Sequence, residues 1–297
     1  MSQKQKKWIY LLLLSIIWGS SFILIKKALI DLSPIQVGAL RIIFTAFFLF
    51  AVGTKTLKEI KRIHWKWIAW SGFLGSFFPP FLFALAQTEL DSAIASILNS
   101  LTPLNTLLLG ILFFGVLVTK RQIFGVIIGL LGTLLLIIKG AEFNPNQNYW
   151  YSILIITSTV GYALNINILK KHLNGIGALA IATGNFVVIL IPAVIVLIAT
   201  GFFETIFEST AMQKGLIYVL VLALFGTAFA KVLFNKLISI ASPVFAASVT
   251  YTMPLMAIFW GVVDGELLSI YQIIGGGVIL LGVYLANKKN GTAVKKE

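Results

Sequence analysis

Long apolar runs separated by short polar stretches occupy almost the whole chain. A helix needs about 20 mostly apolar residues to cross a bilayer core of roughly 30 Å. Ten runs come close to that length: 8–25, 35–52, 67–86, 93–114, 122–138, 150–169, 177–200, 215–235, 243–263 and 270–286. The longest connection, 53–66, is too short for a separate soluble domain. The pattern therefore predicts an all-α polytopic membrane protein with ten transmembrane helices.

The two halves of the chain repeat each other. The matching stretches are "SIIWGSSFILIKK" (15–27) with "TVGYALNINILKK" (159–171), "GSFF" at 75 with "GTAF" at 226, Pro103 with Pro254, and "QIFGVIIGLLG" (122–132) with "QIIGGGVILLG" (272–282). The repeats cover 8–138 and 150–286, and each holds five predicted spans. Because five is odd, the second half must enter the membrane upside down. Two inverted five-helix repeats are typical of secondary transporters, whose substrate site lies near the midplane.

Composition and charge support a membrane location and an orientation. The chain is 59% hydrophobic and 11% charged, too little charge to cover the surface of a soluble protein. Most of its 23 Lys and Arg residues fall in segments that a cytoplasmic N-terminus places inside; Lys26, Lys27, Lys139 and Lys214 fall outside. This bias follows the positive-inside rule. We expect a multi-pass plasma-membrane protein with both termini cytoplasmic, and the net charge of +13 needs no nucleic-acid partner.

A family resemblance rests on four stretches: "IIWGSSF" in the first span, the run from Pro34 to Arg41, "SILNSLTPLNTLLLG" in the fourth span, and "SPVFAASVTYTMPLMAIFWG" followed by "GELLSIYQIIGGGVILLGVYL" near the end. In these the chain resembles the EamA domains of the drug/metabolite transporter superfamily over nearly its whole length. The resemblance implies two EamA domains, a transport function, and export as its direction. The halves differ at two positions. Val116 stands where the second half has Glu266, and Asn185 stands where the first half has Arg41.

Polar residues in the fourth and ninth spans indicate a substrate cavity. Ser96, Asn99 and Pro103 follow one another at steps that place them on one helical face. In the ninth span, Tyr251 precedes Pro254. Irregular backbone at membrane depth is tolerated where it lines a cavity or is buried in protein. We interpret these five residues as substrate-binding. The alternative is that the polar groups join helices while the prolines only bend them.

The first and sixth spans add aromatic and amide groups. Tyr162 and Asn165 share a polar face of the sixth span. Trp18, the counterpart of Tyr162, lies too deep in the first span for a tryptophan of the interfacial belt. We interpret all three as substrate-binding, with the aromatic rings stacking on an organic substrate. For Trp18, core packing is the alternative.

Lys231 is the candidate for charge recognition. It shares a face of the eighth span with Thr227 and Asn235, and a charged residue inside a span is by default a functional-site hypothesis. The alternative is a side chain that extends to the cytoplasmic headgroups. For Arg41, in the second span, we expect a structural role in capping a neighbouring helix; ligand binding is the alternative. No Asp or Glu lies well inside any predicted span, so we expect an anionic or zwitterionic substrate with a carboxylate or phosphate group.

Other ligands and chemistries have little support in the sequence. Glycines in the fifth and tenth spans predict close helix pairing, within one chain or between the subunits of a homodimer. The chain has no Cys, and its two His residues lie in predicted cytoplasmic loops. We therefore expect no metal, no cofactor, no catalytic residues and no enzyme activity.

The expected function is secondary transport by alternating access around a central cavity. We expect the export of small metabolites such as amino acids or related organic compounds. A flippase for a lipid-linked metabolite is the alternative with the same architecture, and a lateral opening toward lipid would favour it. A membrane-embedded enzyme is a further alternative that requires clustered His, Asp or Glu, which the sequence does not offer.

Overall fold

The computed structural model describes residues 2–115, 120–143, 145–207 and 209–287. Within these ranges the chain forms helices and turns and no β-strand. Ten helical rods follow one another: α1 (Gln3–Ala28), α2 (Pro34–Gly53), α3 (Arg62–Ala86), α4 (Ser92–Phe114), α5 (Lys120–Phe143), α6 (Ser152–His172), α7 (Ala178–Ala199), α8 (Met212–Ile240), α9 (Pro243–Val263) and α10 (Ile270–Asn287). Val116, the first-half counterpart of Glu266, lies outside the described residues.

The helices have the length and surface of membrane spans. In the described part of the chain, α1 to α9 are long and apolar enough to cross a membrane, while the apolar part of α10, Ile270–Gly282, is shorter. Large apolar side chains such as Phe47, Leu112 and Ile191 are exposed on the outside of the bundle. Polar side chains such as Asn165 and Lys231 are buried inside it. This inversion of the usual soluble pattern fits a lipid surround.

Four rods are interrupted, and they correspond in pairs between the two halves. Both α3 and α8 contain a π-helical turn, at Phe73–Phe77 and Leu222–Phe229. The first three residues of "GSFF" and the whole of "GTAF" lie in these turns. Both α4 and α9 break near their middle. Helical turns with π geometry are uncommon and occur frequently at functional sites.

The breaks in α4 and α9 explain how the chain accommodates its two prolines. Pro103 and Pro254 each lie in the first turn of the segment that follows a break, Thr102–Phe114 and Met253–Val263. An N–H group in the first turn of a helix has no intrahelical partner, so proline loses little there. The break also interrupts the single polar face predicted for Ser96, Asn99 and Pro103, because Ser100 and Leu101 form a turn within it.

Glycines allow α5 and α10 to approach closely. A methyl group built at Gly132 would lie 2.6 Å from the backbone nitrogen of Ile279, and one at Gly282 would lie 2.3 Å from that of Gly129. Low residue numbers of α5 therefore face high residue numbers of α10, so the two helices run antiparallel. The close pairing predicted from the glycines is confirmed, and it occurs within one chain.

Candidate functional site

A cavity lies between α1, α2, α3, α4, α6, α8 and α9. It has about 820 Å³ of space not filled by protein atoms, counting the part that opens to the surroundings. Its lining comprises Trp18, Ser21, Phe22, Ile25, Arg41, Gly75, Ser76, Phe83, Asn99, Thr102, Tyr162, Asn165, Ile166, Gly226, Thr227, Lys231, Phe234, Ala246, Ala247, Val249, Thr250 and Met253. The interrupted parts of α3, α4, α8 and α9 all contribute to this wall.

The structure brings together most of the residues that the sequence suggested for substrate binding. Those in the lining are Trp18, Asn99, Tyr162, Asn165 and Lys231. Those outside it are Ser96, Pro103, Tyr251 and Pro254. The break turns the chain so that other residues of α4 and α9 face the cavity. A role in substrate binding stays a prediction for all nine.

Arg41 lies at the cavity and contacts the π-helical turn of α8. Its Nε donates a hydrogen bond to Thr227 Oγ1 at 2.7 Å. Thr227 Oγ1 in turn donates to the carbonyl of Leu222 at 3.2 Å, a carbonyl five residues earlier in the π turn. Arg41 therefore contacts a neighbouring helix, but at a π turn inside that helix rather than as the predicted cap at its end. Its guanidinium belongs to the cavity wall as well.

Lys231 lies one helical turn beyond Thr227 on α8. Thr227, which accepts the hydrogen bond from Arg41, and Lys231 both line the cavity. Lys231 lines the cavity and is only 6% exposed. Among the described residues its ammonium group has no hydrogen-bond partner and no carboxylate counter-ion. Asn235, the third residue of the predicted face, does not line the cavity. Its amide donates instead to the carbonyl of Ala178 at 3.2 Å.

Aromatic side chains form the apolar part of the wall. Trp18 Nε1 donates to the carbonyl of Gly226 at 2.9 Å, which fixes the indole against the π turn of α8. Its ring meets Phe234 edge to face, with centroids 5.0 Å apart. The Tyr162 ring stacks on Phe83 with centroids 6.1 Å apart. Such surfaces can hold the apolar skeleton of a small organic molecule.

A cluster of charges closes the end of the bundle where α1 ends and α4 begins. Lys26 Nζ lies 2.9 Å from Glu266 Oε1 and 3.2 Å from Asp264 Oδ2. The Glu266 side chain, only 1% exposed, also accepts hydrogen bonds from the backbone N–H groups of Ser92 and Ala93 at 3.0 and 3.1 Å. A carboxylate at a helix N-terminus is stabilised by the helix dipole and the free N–H groups.

A glycine turn directs Glu266 to this position. Gly265 has φ 86°, a conformation that favours glycine, and it ends α9. The Glu266 N–H then donates to the carbonyl of Gly261 at 2.8 Å, so the chain folds back beneath α9. Next to this turn, Lys27 forms an ion pair with Asp264. The hydrogen bond from Lys27 holds the pKa of the Asp264 carboxyl below its usual value.

The sequence interpretation missed several cavity residues. Gly75, Ser76 and Gly226 lie in the π turns and line the cavity, and Phe83 and Thr102 lie elsewhere in its wall. The match between "GSFF" and "GTAF" was the available signal for the π turns, because it repeats small residues in otherwise bulky spans. Apart from the gaps in the described ranges, no group of three or more His, Asp or Glu residues could hold a metal ion.

Comparisons with known proteins agree with this architecture. An uncharacterized transporter of Archaeoglobus fulgidus is 28% identical over 295 residues, which cover 96% of this chain and 99% of the relative. The uncharacterized inner membrane transporter YedA of Escherichia coli K12 is 27% identical over 277 residues, 92% of this chain and 87% of YedA. One solved crystal structure superposes with a TM-score of 0.67 at 17% identity, covering 96% of this chain and 97% of that one. That likeness concerns the fold alone.

A family model covers both halves of the chain. The model of the EamA-like transporter family matches residues 6–138 and again 149–288. Together with the helical bundle and the transporter relatives, this identifies a multi-pass membrane transporter. The chain belongs to the EamA-like transporter family.

Proposed function

We propose that this protein is a secondary transporter that exports small metabolites bearing a carboxylate or phosphate group, amino acids and related organic compounds among them. The observation that carries the proposal is the pair of cations in the cavity. Arg41 and Lys231 both line the cavity, and the described lining contains no acidic residue to neutralise them.

The electrostatic argument favours an anionic ligand. A charge removed from water without a partner is unfavourable by several kcal/mol. Arg41 has one neutral acceptor, Thr227, and Lys231 has none among the described residues. An anionic group between the two side chains would supply the missing partner, with bidentate geometry available at the guanidinium.

Helix contacts support an inverted-repeat arrangement and alternating access. Helix α1 packs against α8 and α9, and its counterpart α6 packs against α3 and α4. The corresponding helices α2 and α7 pack together, as do α5 and α10. Each of these contacts has a counterpart when the halves are exchanged. We propose that the halves rock against each other around the cavity, as inverted repeats do.

The orientation and location of the protein belong to the same proposal. The charge bias of the connecting segments supports cytoplasmic termini. The relative YedA is described as an inner membrane transporter, which supports a plasma-membrane location. Export follows the direction implied by the resemblance to the drug/metabolite transporter superfamily.

Counterflow in proteoliposomes tests the proposal. Purified protein is reconstituted, and uptake is measured for labelled amino acids, organic acids and hydrophobic cations against the same unlabelled compound inside. We expect uptake of compounds with a carboxylate or phosphate. Lys231→Gln should weaken their binding by about 1.5–3 kcal/mol, the scale of a hydrogen bond to a charged group.

Lys236→Gln is the matched control, because Lys236 is an exposed lysine on the same helix. It should transport like the original protein. Uptake restricted to hydrophobic cations, or equal uptake by the two lysine variants, would contradict the proposed anion selectivity.

A further inference from the structure

Ser76 has a buried hydroxyl group without a partner. The residue lies in the π turn of α3, lines the cavity and is 3% exposed. Its Oγ makes no hydrogen bond within the described part of the chain. Nearly all buried polar groups in proteins are hydrogen-bonded, and an unsatisfied one is unfavourable by about 1–3 kcal/mol. A ligand atom in the cavity would supply the partner that this hydroxyl lacks.

The corresponding residue of the second half shows why Ser76 is free. Thr227 occupies the same position in the π turn of α8, and its hydroxyl accepts the hydrogen bond from Arg41. The position that matches Arg41 in the other half is Asn185. The Asn185 amide donates instead to the carbonyl of Ile68 at 2.7 Å, and Asn185 is absent from the cavity lining. The divergence of the two halves has left Ser76 without an internal partner.

Asn165 supplies a second free group, next to Gly75, the residue that precedes Ser76. Its Oδ1 accepts a hydrogen bond from Ser71 at 2.6 Å, which orients the amide. The Nδ2 donor has no acceptor among the described residues. Gly75 leaves room for it, since a methyl group there would lie 2.4 Å from Nδ2. Gly75 directly precedes Ser76, so the Asn165 amide and the Ser76 hydroxyl lie at adjacent positions along α3.

We propose that Ser76 and Asn165 form a second substrate subsite that hydrogen-bonds an acceptor oxygen of the substrate. This inference rests on the proposed function, in which Arg41 and Lys231 hold the anionic group. The substrate is then an organic anion with a hydroxyl, carbonyl or carboxylate oxygen at a second position. The aromatic rings of Trp18 and Tyr162 border the carbon skeleton.

The subsite chemistry separates hydroxy and oxo acids from amino acids. The Asn165 amide nitrogen can only donate, and the Ser76 hydroxyl can donate to the same oxygen. An ammonium group offers no acceptor, and in this cavity it would lie near two cations without a carboxylate. Hydroxy and oxo acids should therefore bind more tightly than the amino acid with the same skeleton.

One experiment compares three acids that differ at a single position. Malate, succinate and aspartate compete in proteoliposomes against counterflow of radiolabelled malate. For the original protein we expect malate to bind more tightly than succinate by roughly 2- to 10-fold, the range that one hydrogen bond provides. Aspartate should be the weakest competitor. Ser76→Ala should remove most of the preference for malate over succinate.

A second experiment tests whether Ser76 can be reached from the cavity. The chain has no Cys, so Ser76→Cys introduces a single thiol. It should react with the small anionic reagent 2-sulfonatoethyl methanethiosulfonate at least tenfold faster than Thr183→Cys. Thr183 is the matched control because its hydroxyl is also buried and unpartnered among the described residues, on α7, which contributes nothing to the lining.

The outcomes distinguish the subsite from the proposed function. Equal competition by malate and succinate, with no change in Ser76→Ala, would overturn the subsite and leave anion transport intact. Equal labelling of the two cysteines would also overturn it. If none of the three acids exchanges, the subsite proposal fails, while the broader panel of carboxylates and phosphates decides the proposed anion transport.

Discussion

The hydroxyl of Ser100 donates a hydrogen bond to the carbonyl of Thr250 at 2.9 Å, and this bond joins the breaks of α4 and α9. The Thr250 carbonyl is the one that Pro254 frees, because it lies four residues before the proline. The segment Ser92–Asn99 packs against Met253–Val263, and Pro243–Ala247 packs against Thr102–Phe114. The first half of each helix thus packs against the second half of the other. Helices α4 and α9 are therefore antiparallel where their breaks meet, beside the cavity.

Replacing either proline should impair transport more than folding. Pro254→Ala restores an N–H group that competes with Ser100 for the Thr250 carbonyl and makes the segment more regular. In α4, Thr102 Oγ1 donates to the carbonyl of Asn99 at 2.8 Å, and Pro103→Ala introduces the same competition. We expect slower counterflow, with an unfolding free energy within about 1 kcal/mol of the original.

Pro192→Ala is the control for the proline variants. Pro192 lies inside α7, which lines no part of the described cavity. Its replacement should leave the transport rate unchanged. Unchanged rates in both Pro103→Ala and Pro254→Ala would show that these prolines serve the fold alone.

The contact between α5 and α10 should depend on glycine at particular positions. Gly282→Ala places a methyl group against the backbone of α5, so the helices must separate. Gly277→Ala on the same helix meets no atom within 4 Å and is the matched control. We expect a lower midpoint of thermal unfolding in detergent for Gly282→Ala. Gly277→Ala should be neutral or slightly stabilising, because alanine favours helix by about 0.5–1 kcal/mol. Equal midpoints would contradict this close approach.

Much of the architecture was predictable from the apolar pattern and the internal repeat. Hydrophobic length predicts the helices, and the glycine pattern predicts the contact between α5 and α10. The two π turns were not predicted, because the apolar pattern of a span does not show whether a turn has α or π hydrogen bonding. Their matched small residues, such as Gly75 and Gly226, become informative only when both halves are compared.

The cavity was only partly predictable. Residues such as Lys231 and Tyr162 stand out because polar groups are rare in spans, and both line the cavity. Pro103 and Pro254 mark the breaks, but a break changes which residues face inward, and this depends on packing between distant segments. The free hydroxyl of Ser76 illustrates the same limit. Its lack of a partner follows from where Arg41 and Asn185 lie in three dimensions.

Cysteine labelling should establish the orientation of α8. Lys214 and Lys236 are exposed and lie toward opposite ends of this helix. Positive-inside bias places Lys214 outside and Lys236 in the cytoplasm. In intact cells an impermeant maleimide should therefore label Lys214→Cys and not Lys236→Cys, while both should react after lysis. Labelling of Lys236→Cys in intact cells would reverse the proposed orientation.

Glu266 should hold the cavity closed at the end of the bundle where α1 meets α4. Glu266→Gln keeps the shape of the side chain but removes its ion pair with Lys26, and its amide cannot accept from Ser92 and Ala93 at both atoms. Hydrogen bonds to a charged group contribute about 1.5–3 kcal/mol, and the partial exposure of Lys26 reduces this value. We expect this end to open more readily.

A thiol at Ile25, which is the part of the α1 lining nearest to the charge cluster, reports the opening. Glu266→Gln should raise the labelling rate of Ile25→Cys by an impermeant reagent roughly tenfold, since 1.4 kcal/mol corresponds to a factor of ten. Glu142→Gln is the control, because Glu142 forms an exposed ion pair with Lys139 at 2.5 Å whose contribution should be below about 1 kcal/mol. If both variants label at the original rate, Glu266 only caps α4, and the closure of the cavity depends on other contacts.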